Sequence, residues 1–318
     1  MLIYDGFKLF MMEKEVSCAV DTVAYYKLNL TKFLEYLSIF AEKDYKNMEY
    51  DFFNRESVIA YIAFLRMRVQ YPGNDFIKVE KKLKNTSVNT YVRAIKIFAN
   101  WSFEEGFLLE NFSCKIKTPR DDNEQIIPLY QKDVDKIDCL FSSNCETSMR
   151  NLCIFHLMID CGLRVGEVIS LTIPNVMFEK NLINVLGKGS KYRIVPLPPK
   201  LKLLLYKYSV YYRSFSHGLE DRFFIQVKNQ KPLTDSVIAQ MFARIKNNTD
   251  INRVYPHLLR HTFATSYIMG GGNLEFLRIL LGHYDYTVTR RYLHLASQYS
   301  IMHADIYKLD SIYFKSVY

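Results

Sequence analysis

The stretch HLLRHTFAT, His257 to Thr265, sets two histidines and an arginine within five residues. Such a cluster can bind a metal, hold a phosphate, or coat a helix with charge. His257 and His261 lie one helical turn apart, as paired metal ligands do. The zinc-protease pattern also needs a glutamate directly after the first histidine as general base. Leu258 stands there instead, and Arg260 between the two ligands would repel a dication. Phosphate binding asks for less. Arginine presents a planar fork of donors that stays charged, and histidine donates hydrogen bonds or moves protons near neutral pH. On a helix His257 and Arg260 sit at i and i+3, so they share a face and can address one anion. His261, one position on, is expected to turn inward.

H-x-x-R alone recurs by chance, but here it has company in a fixed order. Arg164 sits between small residues in CGLRVGEVISL, at the end of an apolar helix pattern. Lys188 follows in Gly187-Lys188-Gly189-Ser190. Beyond HLLRH come His283 in LLGH and Tyr292 in TRRYLHLA. Singly, each has a plain structural explanation: a surface arginine, a solvated lysine in a turn, a packing tyrosine among 24. Those explanations fit their joint, ordered occurrence badly. Tyr284 and Tyr286 also lie close to His283 and are rival candidates for any tyrosine chemistry.

The elements that must position these residues follow from periodicity. After Asp21, taken as an N-cap, Tyr26, Leu30, Phe33 and Leu37 mark one helical face, and Val58, Ile62, Leu65 and Val69 mark a second. YPGND at 71–75 is a breaker. NTSVNTYVRAIKIFANWSFEEG opens with capping residues, carries Val88, Val92, Ile95 and Ala99 on one face, and ends near Gly106. Lys81, Lys82, Lys84, Arg93 and Lys96 make this region basic, as a solvated face or a phosphate-contacting one. The polar, aperiodic CKIKTPRDDNEQ reads as a linker. MRNLCIFHLMIDCGL is helical, and NLINVLGKGSKYRIVPLP reads as a hairpin turning at Gly187–Ser190. GNLEFLRILLG reads as a helix capped by Asn273, with Leu274, Leu277 and Leu281 on one face and Gly282 as its stop. TVTRRYLHLA reads as a short helix from Thr287.

Composition sets the frame. The 318 residues allow two domains, 1–113 and 127–318, joined by a linker at 114–126. Hydrophobic residues at 49% and charged residues at 24% indicate a globular chain, and 12 glycines and 9 prolines argue against extensive disorder or a turn-rich β fold. A net charge of +9 suits a polyanionic partner, nucleic acid first, or simply a basic enzyme. No signal peptide is evident in the first residues, and no uncharged apolar run reaches membrane-spanning length. Six cysteines without a C-x-x-C pair read as free thiols in a reducing compartment, with no structural zinc.

The ordered set Arg164, Lys188, His257-x-x-Arg260, His283, Tyr292, carried by GLRVGE, GKGSKYRIVPL, HLLRHTFAT, LLGH and TRRYLH, resembles that of the tyrosine site-specific recombinases, which include phage and mobile-element integrases and Xer-type enzymes. The resemblance covers residues 127 to about 297. NTYVRAIKIFANWSFEEGFLLEN is similar, more weakly, to the last helices of the family's core-binding domain, and residues 1–80 fit only by helix pattern and length. The resemblance implies a mainly α fold with a small β-sheet: a helical DNA core-binding domain followed by a mixed α/β catalytic domain and a C-terminal tail for protomer contacts. It implies that Arg164 and Arg260 clamp the phosphate, Lys188 is the general acid, His257 acts in acid–base catalysis, His283 binds the phosphate, and Tyr292 is the nucleophile. Glu167 would support the pocket. It also implies a double-stranded DNA site as partner, a homo-tetramer on two sites, possible accessory bending or directionality proteins, no cofactor or metal, no membrane, and a cytoplasmic bacterial, phage or mobile-element setting. A type IB topoisomerase, a DNA-binding regulator without catalysis and a protein-interaction module are the rivals.

Overall fold

Apolar residues three and four apart close four helices in the N-terminal part of the chain: α1 Ile3–Ser17, α2 Val20–Ala41, α3 Arg55–Met67 and α4 Asn85–Glu104. The structure is a computed structural model, and it describes residues 2–68, 82–120, 126–187, 191–213 and 222–302. Leu30, Phe33 and Leu37 on α2, Val58, Ile62 and Leu65 on α3, and Val88, Val92, Ile95 and Ala99 on α4 all enter one core. Val69 and the YPGND breaker lie outside the described residues. The core is strongly aromatic. Phe10 meets Phe98 and Trp101 edge-on at 5.3 and 5.4 Å, and Phe33 meets Tyr61 at 5.2 Å. Many of the chain's aromatics are therefore packing groups, each pair adding about 1 kcal/mol beyond its buried area.

Two helix starts differ from expectation. Asp21 lies in the first turn of α2 rather than at its cap, which is Ala19. An acidic side chain there still faces the positive end of the helix dipole. The cap of α4 is Lys84, so the Asn-Thr-Ser run lies inside the helix. At α3, Asn54 and Ser57 do form a reciprocal capping box, with Ser57 N–H donating to Asn54 Oδ1 at 2.9 Å. The segment after α4 lies along that helix: Lys96 Nζ donates to the Ile116 carbonyl, and Asn89 and Asn85 donate to those of Pro119 and Arg120.

The chain divides into two units, Met1–Glu124 and Gln125–Tyr318. In the second, α5 spans Gln131–Leu140, α6 Glu146–Asp160 and α7 Val165–Ser170. Buried residues lie on every side of α6, and it forms the centre of this unit's core. Strands β1 Val176–Met177, β2 Leu182–Leu186 and β3 Tyr192–Pro196 form an antiparallel sheet in that order. The expected hairpin is β2–β3, with Val185 opposite Arg193. The first strand was not anticipated, because two residues are too few to show a period of two. Helices α8 Pro199–Lys207, α9 Asp235–Asn248, α10 Pro256–Met269, α11 Leu274–Leu281 and α12 Tyr286–Met302 complete the unit. Asn273 caps α11 as expected, and Gly282 ends it in the left-handed conformation at φ 63°. Helix α12 runs well past the short helix expected from Thr287. Thus the protein is mainly helical with one small sheet. Among the described residues no helix is long and apolar enough to cross a membrane.

One ionic junction ties α5 to α6. The two ring nitrogens of His156 contact Asp160 at 2.8 Å and Asp138 at 3.0 Å. Burial lowers the pKa of this imidazole, but the two carboxylates outweigh that and raise it from 6.5 to about 9. A group whose folded pKa is raised contributes stability that is whole below pH 6.5 and lost as pH rises through about 9. Both carboxylates are partly exposed, so the contribution is about 2 kcal/mol. In urea titrations the wild type should lose that much relative to His156→Gln between pH 6 and 9. Parallel pH profiles for the two proteins would refute the assignment.

Candidate active site

Four elements converge on a cavity of about 1160 Å³ in the second unit: the start of α7, the β2–β3 hairpin, α10, and the α11–α12 corner. Arg164 is the cap residue of α7. Its backbone N–H donates to Glu167 Oε2 at 2.8 Å, and its Nη1 donates to Glu167 Oε1 at 2.9 Å. The Glu167 carboxylate is 6% exposed and is also gripped by Arg193 of β3, through Nη1 at 2.6 Å and Nη2 at 2.9 Å. Burial would raise its pKa, but the Arg193 fork, helped by Arg164, holds it at about 2. Arg193 Nε donates in turn to the Leu280 carbonyl at 2.7 Å, which joins the sheet to the end of α11.

Arg260 lies on α10 and is 4% exposed. Its Nη1 donates to the Gly162 carbonyl at 2.6 Å, and its Nη2 donates to the Leu281 carbonyl at 2.6 Å and to His283 Nε2 at 3.0 Å. Among the described residues no carboxylate lies within ion-pair distance of it. Burial, then the charge of Arg164, lowers its pKa to about 9, which leaves it cationic at neutral pH. Because guanidinium only donates, His283 Nε2 must accept. The His283 proton therefore sits on Nδ1 and is donated to Thr289 Oγ1 at 2.9 Å. Burial, followed by Arg260 and Arg164, depresses this imidazole to about 4, so it is neutral.

His257 lines the same cavity with its side chain open to solvent, its pKa lowered by partial desolvation and then by Arg260 and Arg164. Tyr292 of α12 is 4% exposed. Its ring lies parallel to His283 at 6.4 Å and tilted against His261 at 5.4 Å, and it packs with Ala264, Leu277 and Leu281. Burial raises the phenol's pKa, while Arg260, Arg291 and Arg164 pull the other way. Tyr284 and Tyr286 stand more open, at 98% and 48% exposed. Lys188 lies outside the described residues, and its neighbours Gly187 and Lys191 line the cavity. The described charged residues at the wall are Arg164, Lys191, Arg193, Arg260 and Arg278 against Glu167 and Asp285. The cavity is thus electropositive, and no three His, Cys, Asp or Glu side chains converge as metal ligands among the described residues.

Residues 129–299 match the phage integrase family. The chain belongs to that family. It is similar to a tyrosine recombinase XerD of Oceanobacillus iheyensis, with 27% identity over 298 residues covering 92% of this chain and 93% of the relative. A tyrosine recombinase XerD of Lacticaseibacillus casei is 30% identical over 230 residues, 71% of this chain and 78% of the relative. The fold is similar to that of the Tn1549 transposon integrase solved in complex with transposon right end DNA, at a TM-score of 0.71 and 17% identity over 92% and 94% of the two chains.

Within this integrase-family chain the structure brings Arg164, Glu167, His257, Arg260, His283 and Tyr292 to one cavity. Arg193 stands outside the ordered set that the motifs mark, although its signal is present in the sequence. In KYRIVP it alternates onto the same face as buried Val195, and a charged side chain on a core-facing strand position must have a partner. Gly162 also stands outside that set; it sits at φ +67°, and its carbonyl anchors Arg260. A methyl group there would lie 2.6 Å from Phe263 Cδ1 and 2.9 Å from Leu281 Cδ2. Gly162→Ala should therefore cost about 2–4 kcal/mol in chemical denaturation, from left-handed strain plus overpacking. DNA cleavage should fall with it, because the carbonyl moves away from Arg260. A variant of wild-type stability and activity would refute this.

Proposed function

We propose that the protein is a site-specific tyrosine recombinase that cuts and rejoins double-stranded DNA through a 3′-phosphotyrosyl intermediate. One observation carries the proposal. Arg260 is a buried guanidinium with no carboxylate partner among the described residues, set beside Arg164 in an electropositive cavity that holds Tyr292. A cation so placed is under-compensated until an anion arrives, and a phosphodiester matches its fork.

The roles follow from the chemistry. Phosphoryl transfer spreads negative charge over the equatorial oxygens, and fixed cations supply most of the stabilisation. Arg164 and Arg260 clamp the non-bridging oxygens. Glu167 holds Arg164 in place, and it already receives the Arg193 fork, so it neutralises little of the clamp. His257, whose pKa is lowered by desolvation and then by Arg260 and Arg164, can accept a proton from the phenol as Tyr292 attacks phosphorus. The bond to the 5′ oxygen breaks, and Lys188 protonates that oxygen as it leaves. His283 steadies Arg260 by accepting at Nε2, and it donates to the phosphate only in its other tautomer, with the proton moved from Nδ1 to Nε2. A 5′ hydroxyl from a partner strand reverses the step, and the phosphodiester energy is kept in the ester. No metal enters this sequence.

The helical N-terminal unit would hold the duplex through phosphates, with Lys82, Lys84 and Arg93 exposed on or just before α4. Affinity would then fall steeply with salt. Exchange between two sites calls for a homo-tetramer, with the tail after residue 302, which lies outside the described residues, for protomer contacts, and a cytoplasmic setting with accessory proteins fits this use. The test is covalent trapping: nicked suicide duplexes with candidate sites, in EDTA, scored for an SDS-resistant protein–DNA band. A band supports the proposal. No band on a duplex that the protein binds tightly and specifically counts against it and favours a regulator.

A further inference from the structure

His261 follows Arg260 directly on α10, and the mechanism above leaves it unused. It was expected to turn inward, but it does so with only one edge. Its Nδ1 is fully enclosed and has no hydrogen-bond partner, while the ring lines the cavity and lies 5.4 Å from the Tyr292 ring, tilted by 51°. The other histidine against that tyrosine, His283, has both nitrogens engaged, by Arg260 and by Thr289. His261 is thus the flanking imidazole with one enclosed, unpartnered edge and its ring against the nucleophile.

Tautomer chemistry says what that edge is. A neutral imidazole carries its proton on one nitrogen or the other. Burying an N–H with no acceptor is the less tolerated choice, since orphaned buried donors are rarer than under-used acceptors. The enclosed Nδ1 is therefore the bare lone pair, and Nε2 carries the proton. Burial, then His257, Arg260 and Arg291, lowers the pKa of His261 to about 4, so the ring is neutral when it meets DNA.

We infer that His261 is a positioning residue for the nucleophile, donating a hydrogen bond from Nε2–H to the Tyr292 oxygen as that oxygen turns into the cavity and gains negative charge. It offers a donor without adding a cation to a site that already holds several. The division of labour is then clear: His257 receives the phenolic proton, and His261 holds the oxygen from which it came. This inference rests on the assignment of Tyr292 as nucleophile.

Single-turnover cleavage of a suicide duplex tests it, with His261→Phe, His261→Gln and His261→Asn beside wild type and Tyr292→Phe. Glutamine can place an N–H where Nε2 lies, whereas asparagine reaches only the Nδ1 position. His261→Phe should slow adduct formation about 10–100-fold, the fold-change of one hydrogen bond to a charged partner, with DNA affinity unchanged. Religation from preformed adduct should slow equally, because both directions share a transition state. His261→Gln should recover most of the rate and His261→Asn should not. Wild-type cleavage by His261→Phe overturns the inference. If that variant misfolds, equal rates for the Gln and Asn variants overturn it. Adduct formed by Tyr292→Phe sinks the nucleophile assignment instead. Loss of adduct there, with His261→Phe at full rate, sinks only the role of His261.

Discussion

Tyr292→Phe should abolish covalent capture of DNA, lowering adduct formation by at least about 10⁴-fold while leaving the fold and DNA affinity intact. The magnitude is that of removing a nucleophile outright, since no neighbouring group takes over the covalent step. The clean separation from stability follows from the packing. Tyr292 is 4% exposed and lies among Ala264, Leu277 and Leu281, against the rings of His261 and His283. Phenylalanine fills the same space, so denaturation midpoints should shift by less than about 1 kcal/mol. The measurement is the SDS-resistant band, with gel-shift affinity and urea titration in parallel. Tyr284 and Tyr286 are the control, because a band that persists in Tyr292→Phe and vanishes in one of their phenylalanine variants moves the nucleophile there. Both are more exposed than Tyr292, and neither packs against the histidines that flank it.

Arg260 carries the second large effect. Arg260→Lys keeps a positive charge but loses the fork, and an ammonium cannot reach the Gly162 carbonyl, the Leu281 carbonyl and His283 at once. Cleavage should fall about 10²–10³-fold, the range seen on removing one preorganised donor from a developing oxyanion, with DNA affinity changed far less. Arg260→Ala should fall further. It should also be less stable by about 2–4 kcal/mol, since three buried acceptors lose their donor. A separate readout follows from His283, whose pKa of about 4 owes more to Arg260 than to any cause but burial. In Arg260→Ala, which removes that charge, the His283 pKa followed by NMR titration should move upward toward its ordinary 6.5. Wild-type cleavage by the lysine variant would mean that only charge matters here and that the fork is incidental.

The helical faces were legible in the sequence because they are local. Val88, Val92, Ile95 and Ala99 repeat at the spacing of one helix face, and water is excluded from that face whatever it packs against. The Asn273 cap and the Gly282 stop were legible for the same reason, since both act within a few residues of backbone. The starts of α2 and α4 fall earlier than the capping residues Asp21 and Asn85 suggest, because the cap positions are Ala19 and Lys84 and neither supplies a side-chain cap. Strand β1 was too short for its period to show.

By itself the sequence singled out Arg164, His257, Arg260, His283 and Tyr292, which the fold brings to one cavity. What they touch was decided by the tertiary structure. The Glu167–Arg193 pair, the carbonyls of Gly162 and Leu281 on Arg260, the tautomer of His283, the burial of Tyr292 and the enclosed Nδ1 of His261 all join residues far apart in the chain. Periodicity says which way a side chain faces its own element. Which distant group meets it, how much water is removed around it and hence which protonation state it adopts depend on how the elements pack, and only the folded chain sets those distances.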